Sequence, residues 1–186
     1  MHGQEDNKLM DANQNQVRFL LKAANLFSET IELWSMLTPP AKIVSVSGAI
    51  KDVATESAFS GKLFYEVDLM DEPFISYVVE WGELSHDAAV YYIASYLLLG
   101  LTYVQTMGHI GSYQPSLMVL QSILEVRGCG HPLRTVSEIM AQKHPQLLDV
   151  TRRVVALFCE VPHEFLRFVN FDSVKVKKLW SAERAD

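Results

Sequence analysis

The sequence DAAVYYIASYLLLGLTYVQTMGHIGSYQPSLMVLQSILE, residues 87–125, has no charged side chain between its first and last residues. Its first part, residues 88–108, is as long as the roughly 20 residues that a helix needs to cross a bilayer. Length alone therefore permits a membrane span, a buried core helix or a binding surface. The pattern of polar residues within the stretch distinguishes these alternatives.

The polar residues of this stretch argue against a membrane span. Ser95, Thr102 and Gln105 lie inside it and no Lys or Arg flanks it, whereas membrane helices place aromatic and basic anchors at their ends. On a helix that turns about 100° per residue, aliphatic side chains fall on one side and most hydroxyl-bearing side chains on the other. We therefore predict a buried central helix over residues 85–108, with Ser85 as its N-cap and no membrane contact.

Three tyrosines lie on the hydroxyl-bearing side of the predicted helix: Tyr92, Tyr96 and Tyr103. Tyrosine suits a position that needs an apolar body and a polar tip, either in a core or in a binding site. These side chains are predicted either to pack beneath neighbouring strands or to form the floor of a pocket. The second alternative would make the chain a small-ligand-binding protein, with its pocket beside the tyrosine face.

Residues 42–82 differ in character, because three segments there are rich in β-branched and aromatic residues. In the middle segment, apolar residues alternate with Glu66 and Asp68, as in a strand with one buried face. The link MDEP joins the second and third segments at hairpin distance. We predict an antiparallel meander of about three strands. The segments are KIVSVSGAI (42–50), GKLFYEVDLM (61–70) and FISYVVEWG (74–82).

Helices are predicted on both sides of this block. An N-terminal amphipathic helix over residues 13–37 follows from apolar residues at three- and four-residue steps, and it ends at TPP because proline lacks an amide donor. Prolines that follow turn residues indicate further helix starts after the central helix. These helices are expected near residues 115–127, 132–143, 145–160 and 162–170.

The predicted fold class is α+β, in which the N-terminal helix and the meander precede a C-terminal helical bundle around the central apolar helix. A mostly α fold is the alternative. A chain of 186 residues is long enough for one domain with its own core. We assign residues 13–186 to that domain and expect residues 1–12 to be disordered. Residues 171–186 are ambiguous between a strand and a short helix.

Acidic residues are concentrated in the first half of the chain. Residues 1–100 carry fourteen acidic and six basic side chains, whereas residues 101–186 carry eight and ten. Between Asp52 and Asp87, nine acidic residues accompany a single basic residue, Lys62. Such a surface repels nucleic acid phosphates and attracts basic proteins, although it also keeps a protein soluble without any partner.

This charge pattern predicts a non-enzymatic protein-interaction module of the inhibitor, immunity or adaptor type, in which an acidic strand face binds a basic partner protein. The basic C-terminal tail could dock on the same acidic face, either within the molecule or in a homodimer. The residues predicted to bind the partner are Glu66, Asp68, Asp71, Glu72, Glu80 and Glu83.

Sequence motifs for catalysis are absent, since the chain has no phosphate loop, dinucleotide-binding fingerprint, zinc-protease helix or nucleophile elbow. We therefore predict no cofactor, and no metal because the six histidines lack the spacing of zinc ligands.

One segment, GCGHP, could carry chemistry. Cys129 precedes a predicted helix start, where the helix dipole favours a thiolate, and His131 lies two residues away. A cysteine-dependent enzyme that uses Cys129 as a reactive thiol is therefore an alternative. The two cysteines are too few for a disulfide framework and the N-terminus has no leader pattern, so a cytoplasmic location is expected.

Overall fold

The computed structural model shows a mostly helical fold over the residues that it describes. The mostly α alternative is supported, and the assignment of residues 13–186 to one domain after a disordered segment of residues 1–12 stays a prediction. The described residues are 2–45, 50–67, 69, 84–106 and 132–160, with 174, 176 and 180. Their five helices are α1 (His2–Trp34), α2 (Ile50–Phe59), α3 (His86–Thr106), α4 (Pro132–Lys143) and α5 (Pro145–Cys159).

The α+β fold class predicted from the sequence is wrong, because the described residues contain no β-strand and no sheet. Of the first predicted strand, residues 42–50, the structure describes 42–45 and 50, and Val44 forms an isolated antiparallel bridge with Leu84. Its last residue, Ile50, already begins α2. The third predicted strand, residues 74–82, lies outside the described residues.

The second predicted strand, residues 61–70, forms turns over the part that the structure describes. Strand alternation would bury Tyr65 and Val67 together and place Phe64 on the face of Glu66. Instead, Phe64 is 1% exposed and Tyr65 is 56% exposed. Phe64 and Val67 are both buried because a turn brings residues three apart to one side, whereas a strand does so for residues two apart. Residues of high β-propensity have side chains that pack well in half-buried positions. In this segment those positions belong to a turn and not to a strand.

The predicted central helix is confirmed as α3, which is buried along most of its length. Every residue from Ala88 to Leu98 is buried. Helices α1 and α4 each pack against both α3 and α5, and α3 also contacts α5. The aliphatic side chains and the tyrosines Tyr91, Tyr92 and Tyr96 are all buried. Both the aliphatic side and the hydroxyl-bearing side of this helix therefore belong to the core.

Ser85 caps α3 as predicted, and it also holds the segment that precedes α2. Its Oγ accepts a hydrogen bond from the amide of Ala88 at 3.2 Å, which satisfies one of the unpaired donors at a helix start. The same Oγ donates to the carbonyl oxygen of Lys42 at 2.6 Å, and the Ser85 amide donates to that of Ile43 at 2.7 Å. Residues 42–45 are therefore fastened to the first turn of α3.

Helix α1 contains most of the predicted N-terminal helix but begins at His2 and ends at Trp34, before the two prolines. The Trp34 Nε1 donates to the carbonyl oxygen of Val90 at 2.9 Å and so joins the end of α1 to α3. The inward face of α1 repeats at three- and four-residue steps, as an amphipathic helix requires. Its buried residues are Ala23, Leu26, Thr30 and Trp34.

The predicted helices over residues 132–143 and 145–160 are confirmed as α4 and α5. Pro145 lies in the first turn of α5, where its missing amide N–H removes no helical hydrogen bond. The predicted helices over residues 115–127 and 162–170 lie outside the described residues.

Three residues of the C-terminal tail are described, and each is helical. Val176 and Trp180, four positions apart, are buried, whereas Val174 is exposed. The Nε of Arg152 on α5 donates to the carbonyl oxygen of Trp180 at 2.5 Å. The Trp180 Nε1 is buried and has no hydrogen-bond partner among the described residues. Trp180 thus lies beside α5, and the homodimer suggested by the basic charge of the tail stays a prediction.

Phenylalanine substitutions at the two buried tryptophans should differ in their cost, because only one of the two indole N–H groups is bonded. Trp34→Phe removes the hydrogen bond to Val90, which contributes about 1 kcal/mol net. Trp180→Phe removes an unpaired N–H, whose burial costs about 1–3 kcal/mol. We expect Trp180→Phe to lower the free energy of unfolding by about 2–4 kcal/mol less than Trp34→Phe does, because the bond lost at Trp34 and the burial cost relieved at Trp180 add in this difference, as measured by urea denaturation.

The two sites are matched controls for each other, since Trp34 and Trp180 are 0% and 1% exposed and lose the same ring volume. Equal losses of unfolding free energy at unchanged m-values would contradict the prediction.

Candidate functional site

The middle of α3 holds the polypeptide that follows α2. The Tyr92 hydroxyl lies 2.8 Å from the carbonyl oxygen of Phe59 and 2.9 Å from that of Lys62, so its single proton is shared between two acceptors. The Ser95 hydroxyl donates to the carbonyl oxygen of Phe64 at 2.6 Å. The segment after α2 is thereby fastened to α3 by hydrogen bonds between side chains and backbone.

An aromatic cluster surrounds these hydrogen bonds. The Tyr92 ring centroid lies 4.7 Å from that of Phe59 and 4.9 Å from that of Tyr91, with the two tyrosines nearly perpendicular. Tyr91 in turn meets Phe64 edge to face at 5.7 Å. Such aromatic pairs contribute about 0.5–1.5 kcal/mol beyond the burial of their area. Ring packing and hydrogen bonding therefore stabilise the same contact.

Burial sets the ionisation of these tyrosines. It raises the pKa of the Tyr92 hydroxyl to about 12, with smaller effects from Tyr91 and Glu56. Burial also raises the pKa of Tyr96, and it raises that of Tyr91 against the opposing effect of a backbone hydrogen bond with Phe64. A raised pKa keeps each hydroxyl protonated at neutral pH, so that Tyr92 remains a hydrogen-bond donor.

The three tyrosines predicted to line a pocket are placed differently by the structure. Tyr92 and Tyr96 are buried in the core, at 1% and 4% exposure. Tyr103 belongs to α3, but its side chain lies outside the described part of the structure. Sequence reasoning missed Tyr91, although its spacing of four from Ser95 places both on one face of a helix.

Residues 61–66 form a turn that carries Tyr65 and Glu66 on its outer side, and we call it the Tyr65 turn. Gly61 has a φ of 72°, a left-handed conformation that commonly follows a helix and that favours glycine. The Leu63 amide donates to Oε2 of Glu66 at 2.8 Å, and the Glu66 amide donates to the carbonyl oxygen of Leu63 at 2.9 Å. The turn is thus closed by its own hydrogen bonds as well as by α3.

Glu66 is the one residue predicted to bind a basic partner that the structure describes, and it is exposed. It lies on a turn, so the predicted acidic strand face is wrong in its secondary structure. The candidate thiol Cys129 and its neighbour His131 lie outside the described residues. The remaining acidic residues of the predicted site also lie outside them: Asp68, Asp71, Glu72, Glu80 and Glu83.

A groove of about 400 Å³ between α1 and α5 is lined by charged side chains that pair with one another. Arg153 donates to the two carboxylate oxygens of Glu29 at 2.8 and 2.5 Å and to Asp149 at 2.9 Å. The hydrogen bond with Arg153 lowers the pKa of Glu29, and the same bond raises the pKa of Arg153. Lys22 pairs with Glu160 at 2.7 Å. The pairs with Glu29 and with Lys22 join α1 to α5 and to its C-cap residue Glu160, whereas the pair with Asp149 lies within α5. Each exposed pair contributes about 0–1 kcal/mol.

Within the described ranges, no three His, Cys, Asp or Glu side chains lie close enough together to hold a metal ion. None of the helices in that part of the chain combines the length and the apolar character that a membrane crossing requires.

Comparison of the chain with protein-family models, with curated proteins and with solved structures found no significant match. Its function must therefore be inferred from its own residues.

The raised pKa of Tyr92 predicts a loss of stability at alkaline pH. The hydroxyl ionises near pH 10 in the unfolded chain but near 12 in the folded protein. Its stabilising contribution is therefore complete below about pH 10 and is lost as the pH rises towards 12. Tyr92→Phe should reduce the slope of unfolding free energy against pH by about 1.4 kcal/mol per pH unit in this range, as measured by urea denaturation.

Ser95→Ala is the matched control, because it removes another buried hydroxyl that bonds the same segment but does not ionise in this pH range, so it should lower the free energy of unfolding without changing the alkaline slope. A Tyr92→Phe variant with the slope of the unmodified protein would contradict the assignment.

Proposed function

We propose that the chain is a non-enzymatic protein-interaction module that binds a basic partner protein through its acidic segment, residues 52–87. The observation that carries this proposal is that Tyr65 and Glu66 are exposed on a turn that is hydrogen-bonded to α3. The residues on either side of them, Phe64 and Val67, are buried. Tyrosine is enriched at protein interfaces, among the residues that contribute most to affinity.

The Tyr65 turn is already ordered in the unbound protein. The hydroxyls of Tyr92 and Ser95 donate hydrogen bonds to its backbone carbonyl oxygens. The Leu63 amide donates to the carboxylate of Glu66 and so orients that side chain. Ordering a side chain on binding costs about 0.5–1.5 kcal/mol. A partner that docks on this turn would avoid much of that cost, which favours a recognition role for the turn.

The charge of the segment supports a basic partner. Residues 52–87 contain nine acidic residues and one basic residue. In the part that the structure describes, Glu66 and Asp87 are exposed and Glu56 is half-buried. Charge of one sign on a surface speeds the association of an oppositely charged protein and selects against partners of like charge.

The other predicted functions have less support. A ligand pocket beside the tyrosines would need Tyr92 to offer its hydroxyl, which the fold uses to bind Phe59 and Lys62. A cysteine-dependent enzyme rests on Cys129 alone and stays a prediction. A cytoplasmic location accompanies the proposed function, because two cysteines are too few for the disulfide framework of a small secreted protein.

Capture from native lysate, followed by mass spectrometry, tests the proposal when it is done with the protein and with Glu66→Gln in parallel. Glutamine retains an oxygen that can accept the Leu63 hydrogen bond, so the variant changes charge and leaves the turn closed. We expect basic proteins to be captured, and the association rate of a captured partner to fall about twofold with Glu66→Gln at low salt. The difference should vanish near 1 M salt, where charges are screened within about 3 Å.

Glu32→Gln is the matched control, because it removes the same charge from an exposed position on α1, outside the acidic segment. Its association rate should equal that of the unmodified protein. Capture of mainly acidic proteins, or equal low-salt rates for Glu66→Gln and the unmodified protein, would refute the proposed function.

A further inference from the structure

An open cavity of about 600 Å³ lies where three segments of the described chain meet. Residues 40–45 form one wall, residues 85–87 at the start of α3 form the second, and Ile139 and Lys143 of α4 form the third. The volume is within the range of about 300–1,000 Å³ that is typical of small-molecule sites.

Two of these walls are held together by hydrogen bonds. Ser85 bonds to the carbonyl oxygens of both Lys42 and Ile43, and Val44 pairs with Leu84 in the isolated bridge. The relative position of the two walls is therefore set by the fold before any ligand arrives, which lowers the cost of binding.

Basic side chains from all three segments line the cavity: Lys42, His86 and Lys143. The acidic residue among its described lining residues is Asp87, so two ammonium groups accompany one carboxylate even when the histidine is neutral. The chain as a whole has a net charge of −6. The cavity thus concentrates positive charge on an acidic protein, and such a concentration attracts small anions.

Lys42 is positioned by the protein. Its Nζ donates to the carbonyl oxygen of Ser45 at 3.0 Å, which fixes the ammonium group at the cavity wall. An ammonium group has three N–H donors, so one such bond orients the group and leaves donors for a ligand. Pro40 and Ile139 add apolar surface beside these charges, as in sites that hold a molecule with both an anionic and an apolar part.

We propose that this cavity binds a small phosphate-bearing anion, with the phosphate between Lys42 and Lys143. A phosphate dianion has the charge and the several acceptor oxygens to bond with two ammonium groups at once. His86 and Asp87, in the first turn of α3, line the same cavity, and the positive end of a helix dipole favours an anion nearby. This proposal does not rest on the proposed basic protein partner, although Asp87 belongs both to the acidic segment and to the cavity lining.

The test is a titration of the full-length ¹⁵N-labelled protein, first with inorganic phosphate and then with phenyl phosphate, at constant ionic strength. We expect saturable chemical-shift changes at the amides of Ser45, His86 and Asp87. Tighter binding of phenyl phosphate would indicate a phosphate ester that also contacts Pro40 and Ile139. Equal binding would indicate free phosphate, and both outcomes support the proposal.

Lys143→Gln and Lys42→Gln should each weaken phosphate binding about tenfold, because each removes one charge-assisted hydrogen bond. Lys22→Gln is the matched control, since it removes one positive charge from α1 outside the cavity, and its dissociation constant should stay within about twofold of the original. Circular dichroism confirms that each variant is folded. Shifts that do not saturate, or that saturate equally in Lys143→Gln and in the unmodified protein, would mean an adventitious ion only and would overturn the proposal.

Discussion

The hydrogen bonds from hydroxyl groups on α3 to the backbone after α2 are the interaction on which the rest of the described structure depends. A buried hydroxyl that lacks a partner costs about 1–3 kcal/mol. The Tyr92 hydroxyl, at the end of a long ring, can therefore be buried only if acceptors of another segment lie against it, and the carbonyl oxygens of Phe59 and Lys62 are those acceptors. Ser95 donates to the carbonyl oxygen of Phe64 in the same segment, although a helical serine can also bond within its own helix. The position of that segment follows from the polar groups of a helix that is otherwise apolar.

The same helix orders its other neighbours in a similar way. Its cap residue Ser85 holds residues 42–45, and the carbonyl oxygen of Val90 accepts the indole N–H of Trp34 at the end of α1. Each of these bonds joins α3 to chain that is far away in sequence, while aliphatic side chains fill the space between the helices. Apolar burial provides most of the stabilisation, and the few polar bonds select one arrangement among many that would bury similar area.

The two proposed sites are consequences of this arrangement. Tyr65 and Glu66 are exposed while Phe64 and Val67 on either side of them are buried, Phe64 against Tyr91 of α3. Lys42 is brought towards α4 because the residues around it are bound to Ser85. An acidic surface for a basic protein and a basic cavity for a small anion can thus coexist on one chain, since each is fixed by a different part of α3.

The sequence by itself determined the features that depend on neighbours along the chain. Helical periodicity and proline positions placed α3, α4 and α5 to within a few residues, identified Ser85 as a cap and indicated that the central helix is buried. Residues 61–67 and the roles of the tyrosines were decided only by the tertiary structure. Alternating apolar residues fit a strand or a turn equally well, and the choice depends on whether a partner strand or a buried helix lies opposite. For Tyr92 the sequence shows a hydroxyl in an apolar helix, but its acceptors, the carbonyls of Phe59 and Lys62, lie about thirty positions away. No local pattern encodes that contact, because it forms only when the two segments pack together.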